Sequence, residues 1–253
     1  MTVTIVTGAS SGIGRSLARR LARSGDPVAL LARRKELLDE LASEIAEAGG
    51  QALAVACDVT RPDQVADAVR EVVQRLGPVE RLVANAGGGE PTFVDAFRAD
   101  AVAACLDLNV VGAARCIEAV LPDMLARRSG HLVAVSSLAA LRGLPTAGAY
   151  SAAKAALDNL MESLRIDLRG RGVDVTVIAP GPVRLKPKSK KARGFSIDVE
   201  DATAVIERAI ARRAAYVAFP WPVALATRLG GLLPIPLYDG LLAGRGRKPK
   251  RPA

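Results

Sequence analysis

Tyr150 and Lys154 stand four residues apart in Tyr150-Ser151-Ala152-Ala153-Lys154, a spacing that puts both on one face of a helix. A phenol with an ordinary pKa of ~10 is a poor proton carrier near neutrality. A neighbouring ammonium favours the phenolate, so the pair can pass a proton to or from a substrate oxygen. Alone, the two residues fit a solvated surface helix as well. A second segment adds to them. Thr7-Gly8-Ala9-Ser10-Ser11-Gly12-Ile13-Gly14 follows an apolar β-branched run and precedes a helical pattern. Its glycines allow a tight turn and close approach of the backbone to a pyrophosphate. The helix N-terminus beyond offers free N–H groups and a partial positive charge. The spacing is T-G-x-x-x-G-I-G rather than G-x-G-x-x-G, and an ordinary glycine turn is the plain alternative.

These groups need a frame, and the chain supplies a repeating one. Strand patterns at Val3–Thr7, Pro27–Ala32, Ala52–Cys57, Arg81–Ala84, His131–Ser136, Val173–Ala179 and Tyr216–Phe219 alternate with helical ones. The helices are expected at Ile13–Ser24, Lys35–Ala48, from Pro62, and over Asp100–Arg128, Gly148–Arg169 and Asp198–Arg213. Such alternation predicts an α/β fold: a Rossmann-like, doubly wound parallel sheet of about seven strands with helices on both faces. Residues 1–219 form the expected nucleotide-binding and catalytic domain. Residues 220–253 form an apolar lid or interface segment with a basic tail. The prolines of that segment exclude one long helix. Pro180–Ile197 reads as a loop.

Further motifs fall into this frame in order: Ala84-Asn85-Ala86-Gly87, Leu108-Asn109-Val110-Val111-Gly112, Ser136-Ser137 and Pro180-Gly181-Pro182-Val183. Together with the glycine turn and Tyr150/Lys154 they resemble the short-chain dehydrogenase/reductase family from residue 7 to residue 183. The resemblance implies a catalytic set of Ser137, Tyr150, Lys154 and Asn109, with Ser136 as the second choice for the serine. In that family the serine shares the substrate oxygen with the tyrosine, and the asparagine holds a water that links the lysine to solvent. The implied cofactor contacts are Thr7, Gly8, Ser10, Ser11, Gly12, Ile13, Gly14, Arg33, Asp58, Val59, Asn85, Ala86, Gly87, Tyr150, Lys154, Pro180, Gly181 and Val183. The family pattern P-G-x-V-x-T is broken here by Leu185, which leaves a backbone contact from Val183 to the nicotinamide carboxamide.

The second strand ends in Leu31-Ala32-Arg33-Arg34, without the carboxylate that would bond a ribose 2′-OH. Arg33 can instead pair a 2′-phosphate, which favours NADP(H) over NAD(H). Arg33 and Arg34 as solvated helix-start residues are the alternative. Arg15 is a further basic residue near that rim.

Composition narrows the classes. Half the residues are hydrophobic and only 3% are aromatic, so the core is aliphatic, as suits a helix-covered parallel sheet. Cys57, Cys105 and Cys116 match neither a disulfide framework nor a zinc spacing, and point to reduced, buried thiols in a cytoplasmic protein. With His131 the lone histidine, no metal site is expected. The first strand begins at once, without a signal peptide, and no apolar run nears the ~20 residues of a membrane span.

The net charge of +9 is local. Arg184, Lys186, Lys188, Lys190, Lys191 and Arg193 form one cluster, and Arg245, Arg247, Lys248, Lys250 and Arg251 another. Without these eleven, 24 basic residues face 26 acidic ones. The first cluster suits an anionic substrate such as a CoA or carrier-protein thioester, or is a solvated charge run. The second follows the apolar stretch Tyr216–Leu242. That stretch reads as a lid, a pocket wall with dimer contacts, or a peripheral contact with an anionic membrane. Local charge without a recognition motif speaks against nucleic acid.

The combined expectation is an NADP(H)-dependent oxidoreductase that interconverts a carbonyl and an alcohol on a hydrophobic small molecule, as a homodimer or homotetramer. A 3-oxoacyl-CoA or carrier-protein reductase, and a nucleotide-binding interaction protein with slow turnover, are the alternatives.

Overall fold

Alternation along each strand sends neighbouring side chains to opposite sheet faces, and both faces here are apolar. A computed structural model of the chain describes residues 2–185 and 196–246. Its elements run β1 (Val3–Thr7), α1 (Gly12–Arg23), β2 (Val28–Ala32), α2 (Lys35–Glu47), β3 (Ala52–Ala56), α3 (Pro62–Leu76) and β4 (Val79–Ala84). Then come α4 (Ala99–Leu106), α5 (Gly112–Arg127), β5 (Gly130–Val135), α6 (Gly148–Asp167), β6 (Val173–Pro180), β7 (Val183–Arg184) and β8 (Ile197–Asp198). The last four are α7 (Val199–Ala211), β9 (Tyr216–Phe219), α8 (Trp221–Gly231) and α9 (Ile235–Leu242).

The seven-stranded sheet has the order β3-β2-β1-β4-β5-β6-β9, and every pairing in it is parallel. Ile5, Leu82, Leu132 and Val175 face one layer, where α3, α5 and α6 contribute Val65, Ile117 and Leu157. Val6, Val83, Val133 and Ile178 face the other, where α1, α2 and α7 contribute Leu17, Leu41 and Ile206. The result is the expected single α/β domain, doubly wound. Strand order reverses between β1 and β4, and a crevice opens there beyond the carboxyl ends of the strands.

Two features depart from the sequence reading, and a third agrees with it. The helix expected over Asp100–Arg128 is broken by a π-helical turn at Asp107–Val111. Asn109 Nδ2 donates to the Cys105 carbonyl at 2.8 Å, competing for an acceptor that an unbroken helix offers to the backbone. The loop expected over Pro180–Ile197 contains the short parallel pair β7–β8; its residues 186–193, most of the first basic cluster, lie outside the described residues. The proline-rich C-terminal segment forms two helices. Pro222 and Pro236 occupy their first turns and Pro220 and Pro234 their N-caps, where a missing N–H costs nothing.

His131 is structural: it is buried and its Nε2 lies 2.8 Å from Thr176 Oγ1. Burial, reinforced by Arg81 and Arg213, pushes its pKa down to about 4. All three cysteines are buried free thiols.

Candidate active site

The end of β1 and the end of β4 are fastened together by Thr7. Its hydroxyl accepts from the N–H groups of Asn85 at 3.0 Å and Ala86 at 2.9 Å. Asn85 Nδ2 donates back to the Thr7 carbonyl at 2.9 Å. Gly8 takes φ +68°, and a Cβ there would lie 2.9 Å from Ala86 Cα. At Gly14 a Cβ would meet the Gly8 carbonyl oxygen at 2.4 Å, so the helix packs onto the turn only if that residue is glycine. Thr7 and Gly14 therefore build the turn from behind. Gly8, Ser10, Ser11, Gly12 and Ile13 line a cleft of about 950 Å³.

The α1 N-terminus bordering this cleft is open. Ser11 makes no side-chain cap, and no acidic residue stands in the first turn. Arg34 reaches over instead and donates to Ser10 Oγ at 2.9 Å and Ser11 Oγ at 3.3 Å. Sequence reasoning had put the weight on Arg33; the adjacent Arg34 is the one tied to the glycine turn. Arg33 lines the cleft beside Ala32 and acts electrostatically on Asp58. Asp58 and Val59 line the same end. The Asp58 carboxylate accepts from Thr60 N at 3.0 Å and Thr60 Oγ1 at 2.8 Å. These bonds and the charges of Arg33 and Arg61 hold its pKa below the usual value despite partial burial. Arg15 turns away from this rim, to the Leu37 carbonyl at 3.2 Å and the Glu44 carboxylate at 2.5 Å.

At the other end of the cleft stand Ser137, Tyr150 and Lys154, with Asn85, Ala86, Gly87, Pro180, Gly181 and Val183 around them. Lys154 is 3% exposed, and its Nζ donates to the Val135 carbonyl at 2.9 Å. Burial lowers its pKa to about 8, while Asp158 and Cys105 act in the opposite sense. Tyr150 lies one turn earlier on α6, its ring centroid 5.7 Å from that nitrogen. Burial raises the phenol above its ordinary pKa, and the hydrogen bond with Ser137 works against the rise.

Ser137 Oγ also accepts from Ala139 N at 3.1 Å, which fixes its rotamer. Ser136 is almost fully buried and donates to the Lys154 carbonyl at 3.4 Å. Of the two serines, Ser137 is the one that acts on the Tyr150 phenol.

Asn109 stands behind the cleft wall. Its Nδ2 donates to the Gly88 carbonyl at 2.6 Å, and its Oδ1 accepts from Gly88 N at 3.2 Å. A Cβ on Gly87 would lie 2.6 Å from Asn109 Oδ1 and 3.1 Å from Lys154 Nζ. Asn109 thereby holds the loop after β4 against the lysine. Leu185, in the place of the family threonine, lies over the turn, its Cδ2 3.3 Å from where a Cβ on Gly12 would stand.

Asp158 was not singled out in the sequence. It follows Lys154 by one helical turn, interacts with it electrostatically, and accepts from Tyr216 Oη at 3.5 Å. Burial raises its pKa, against the hydrogen bond from Tyr216 and the charge of Lys154. The i, i+4 series Tyr150, Lys154, Asp158 was the available signal. Among the described residues no group of His, Cys, Asp and Glu could hold a metal.

Comparison with known proteins agrees with this arrangement. Residues 2–194 match the short chain dehydrogenase family. An uncharacterized oxidoreductase of Myxococcus xanthus is 44% identical over 237 residues, 93% of this chain and 94% of that protein. The solved alcohol dehydrogenase from Thermococcus sibiricus, complexed with 5-hydroxy-NADP, superposes with a TM-score of 0.78 at 26% identity, covering 87% of this chain and 96% of that one. A 3-ketoacyl-ACP reductase from Sinorhizobium meliloti superposes at 0.80 with 28% identity, covering 88% and 99%. The parallel sheet, the glycine turn and the family match over most of its length together make this chain an oxidoreductase of the short-chain dehydrogenase family.

Proposed function

We propose that this protein interconverts a carbonyl and an alcohol with NADP(H), Tyr150 exchanging the proton on the substrate oxygen. One observation carries the reading: the Tyr150 and Ser137 hydroxyls and the buried amine of Lys154 share a cleft with an open helix N-terminus. The cofactor fits the residues present. Side chains at Gly8 and Gly14 would fill the turn, the first N–H groups of α1 suit a pyrophosphate, and Arg33 and Arg34 suit a 2′-phosphate. When bound, a reduced nicotinamide supplies the hydride that the carbonyl carbon receives.

The protein's part is then proton movement and charge. In the reducing direction the Tyr150 O–H bond breaks as its proton passes to the carbonyl oxygen. Ser137 donates to that same oxygen and stabilises its developing charge. The phenolate left behind is offset by the ammonium of Lys154. Leu138, Leu144 and Val223 line this part of the cleft, which favours an apolar substrate.

The test is a panel of ketones, aldehydes and alcohols followed through NADPH and NADH absorbance. The reading expects turnover with NADPH on at least one apolar carbonyl compound. No turnover across the panel, with the dinucleotide bound, would favour a binding protein instead. The likeness to the Sinorhizobium meliloti enzyme favours a second reading, a 3-oxoacyl thioester reductase, so the panel includes 3-oxoacyl-CoA esters.

A further inference from the structure

After α9 the chain returns to the cleft through Gly244-Arg245-Gly246. Gly244 takes φ +73°, the left-handed conformation that glycine adopts at a helix end without strain. Arg245 N donates to the Leu242 carbonyl at 3.1 Å and closes that turn. The chain then passes so near the segment before α6 that a Cβ on Gly246 would lie 2.7 Å from Thr146 Cγ2. A glycine on each side thus sets the path, and Arg245 is the side chain carried between them. Helix α9 is fastened to the same segment. Tyr238 Oη donates to the Gly143 carbonyl at 2.8 Å, and the Arg142 guanidinium lies 3.8 Å from the Tyr238 ring centroid. Arg142 also donates to the carbonyls of Gly230 at 3.0 Å and Leu233 at 2.9 Å, at the turn between α8 and α9. Residues 142–147 therefore seat α9 and the turn after it. Leu144, Pro145 and Thr146 of that segment line the cleft together with Arg245.

Of the second basic cluster, Arg245 is the one member among the described residues. It is exposed, so it stands at the mouth of the cleft rather than in its floor. Among the described residues it forms no ion pair. The neighbouring arginines are engaged, Arg142 by carbonyls and Arg228 over the Tyr216 ring. Two carboxylates line the cleft. Asp58 is held by Thr60 and by the charges of Arg33 and Arg61, and Glu90 acts on Arg98. A guanidinium beside an apolar wall, without a counter-ion from the fold, suits an anion that the ligand brings. A planar carboxylate can accept two of its N–H groups at once. We propose that Arg245 is a specificity-determining residue, which binds a carboxylate carried by the substrate beyond its carbonyl group. The reacting oxygen meets Tyr150 and Ser137, an apolar stretch lies along Leu144 and Val223, and the acid end reaches the guanidinium. Such a role presupposes the carbonyl chemistry proposed above and narrows its substrate to an apolar oxo acid.

The experiment uses the full chain with NADPH and oxo acids of increasing chain length. Each is tested beside its methyl ester, which keeps the carbonyl and removes the charge, and beside a phosphate-bearing counterpart. The best-fitting acid should show a KM about tenfold lower than its ester, the lower end of the scale for a hydrogen bond to a charged group. High salt should narrow that gap, because Arg245 stands at the solvent edge. Arg245→Gln should raise KM for the acid about tenfold and leave its kcat within about twofold, as loss of uniform binding does. The ester should be unaffected, whereas a merely structural arginine would move acid and ester together. Arg245→Lys should keep part of the preference. Calorimetric titration of the protein–NADPH complex with acid and ester needs no turnover, and so separates this role from the reaction it presupposes. Tighter binding of the acid, lost in Arg245→Gln, would support the role even where nothing is turned over. Equal KM and affinity for acid and ester, an unchanged gap in Arg245→Gln, or a preference confined to the phosphate-bearing ketones would overturn it.

Discussion

Helices α6 and α8 both border the cleft, and they dispose of their apolar residues in opposite ways. In α6, Ala149, Ala153, Leu157 and Met161 are buried, and Lys154 is buried with them. In α8 only Ala224 is buried, while Trp221, Leu225 and Leu229 face outward. Cover is what separates them. Packed on the sheet, α6 excludes water from an ammonium and a phenol, and burial then moves both pKa values toward the neutral forms. Left uncovered, α8 leaves its nearby charges solvated and its apolar surface available. One helix is suited to chemistry because it is desolvated, and the other to contact because it is not.

The sharpest way to break this contrast is Lys154→Met. Turnover should fall by ~10²–10⁴-fold, the usual scale for loss of an acid–base partner. The fold should gain stability at neutral pH. The sign follows from linkage: the folded pKa of about 8 lies below the ordinary lysine value of 10.5. Between those values the unfolded chain binds more protons than the folded one, so this group's contribution rises with pH across that window. Below pH 8 its full burial penalty remains, and removing the amine should return roughly 1–3 kcal/mol. Chemical denaturation of both proteins at pH 7 and pH 10 gives the difference directly. A gain that is the same at both pH values would remove the argument from desolvation.

Gly14→Ala should act through packing alone. A Cβ placed 2.4 Å from the Gly8 carbonyl forces the turn apart, at a cost of about 1–3 kcal/mol in stability, and weakens dinucleotide binding with it. Calorimetry and a dinucleotide titration check both effects. Gly230→Ala in α8, where an added Cβ meets nothing within 4 Å, should leave both unchanged. A further effect, on cofactor choice alone, is expected at the cofactor's far end. Arg33→Ala should narrow the preference for NADPH over NADH by about 1–3 kcal/mol, the scale of a charge-assisted bond. Equal dissociation constants for the two cofactors in the unaltered protein would contradict the assignment.

Strand and helix periodicity made the frame legible, because a doubly wound sheet repeats one apolar pattern and punctuates it with glycine and proline. The glycine turn and the Tyr150/Lys154 pair were legible for a related reason: close approach and one-turn spacing leave few residue types free. The π-helical turn at Asp107–Val111 was not, since it depends on Asn109 reaching Cys105 and Gly88, contacts that periodicity does not encode. Arg34 was overlooked beside Arg33 because a helix-start arginine carries no sign of where its guanidinium will reach. Asp158 was overlooked because a carboxylate on a helix face usually marks solvent. Its burial becomes visible only once β9 and Tyr216 are packed against α6. The division of α8 into a cleft face and an outer face was equally hidden, as leucines in a sequence do not say which of them will be covered.

The account turns most directly on Tyr150→Phe, read in two ways on the same preparation. The substitution deletes one oxygen and keeps the ring, so the sheet, the turn and the amine of Lys154 stay in place. Dissociation constants for NADPH by fluorescence titration should remain within about twofold of the unaltered protein, well under the ~1.4 kcal/mol that a tenfold change represents. Turnover of an active carbonyl substrate should fall by ~10²–10⁴-fold, because the proton donor alone is missing. Turnover near that of the unaltered protein, with the dinucleotide still bound, would contradict a role for Tyr150 in the proton transfer.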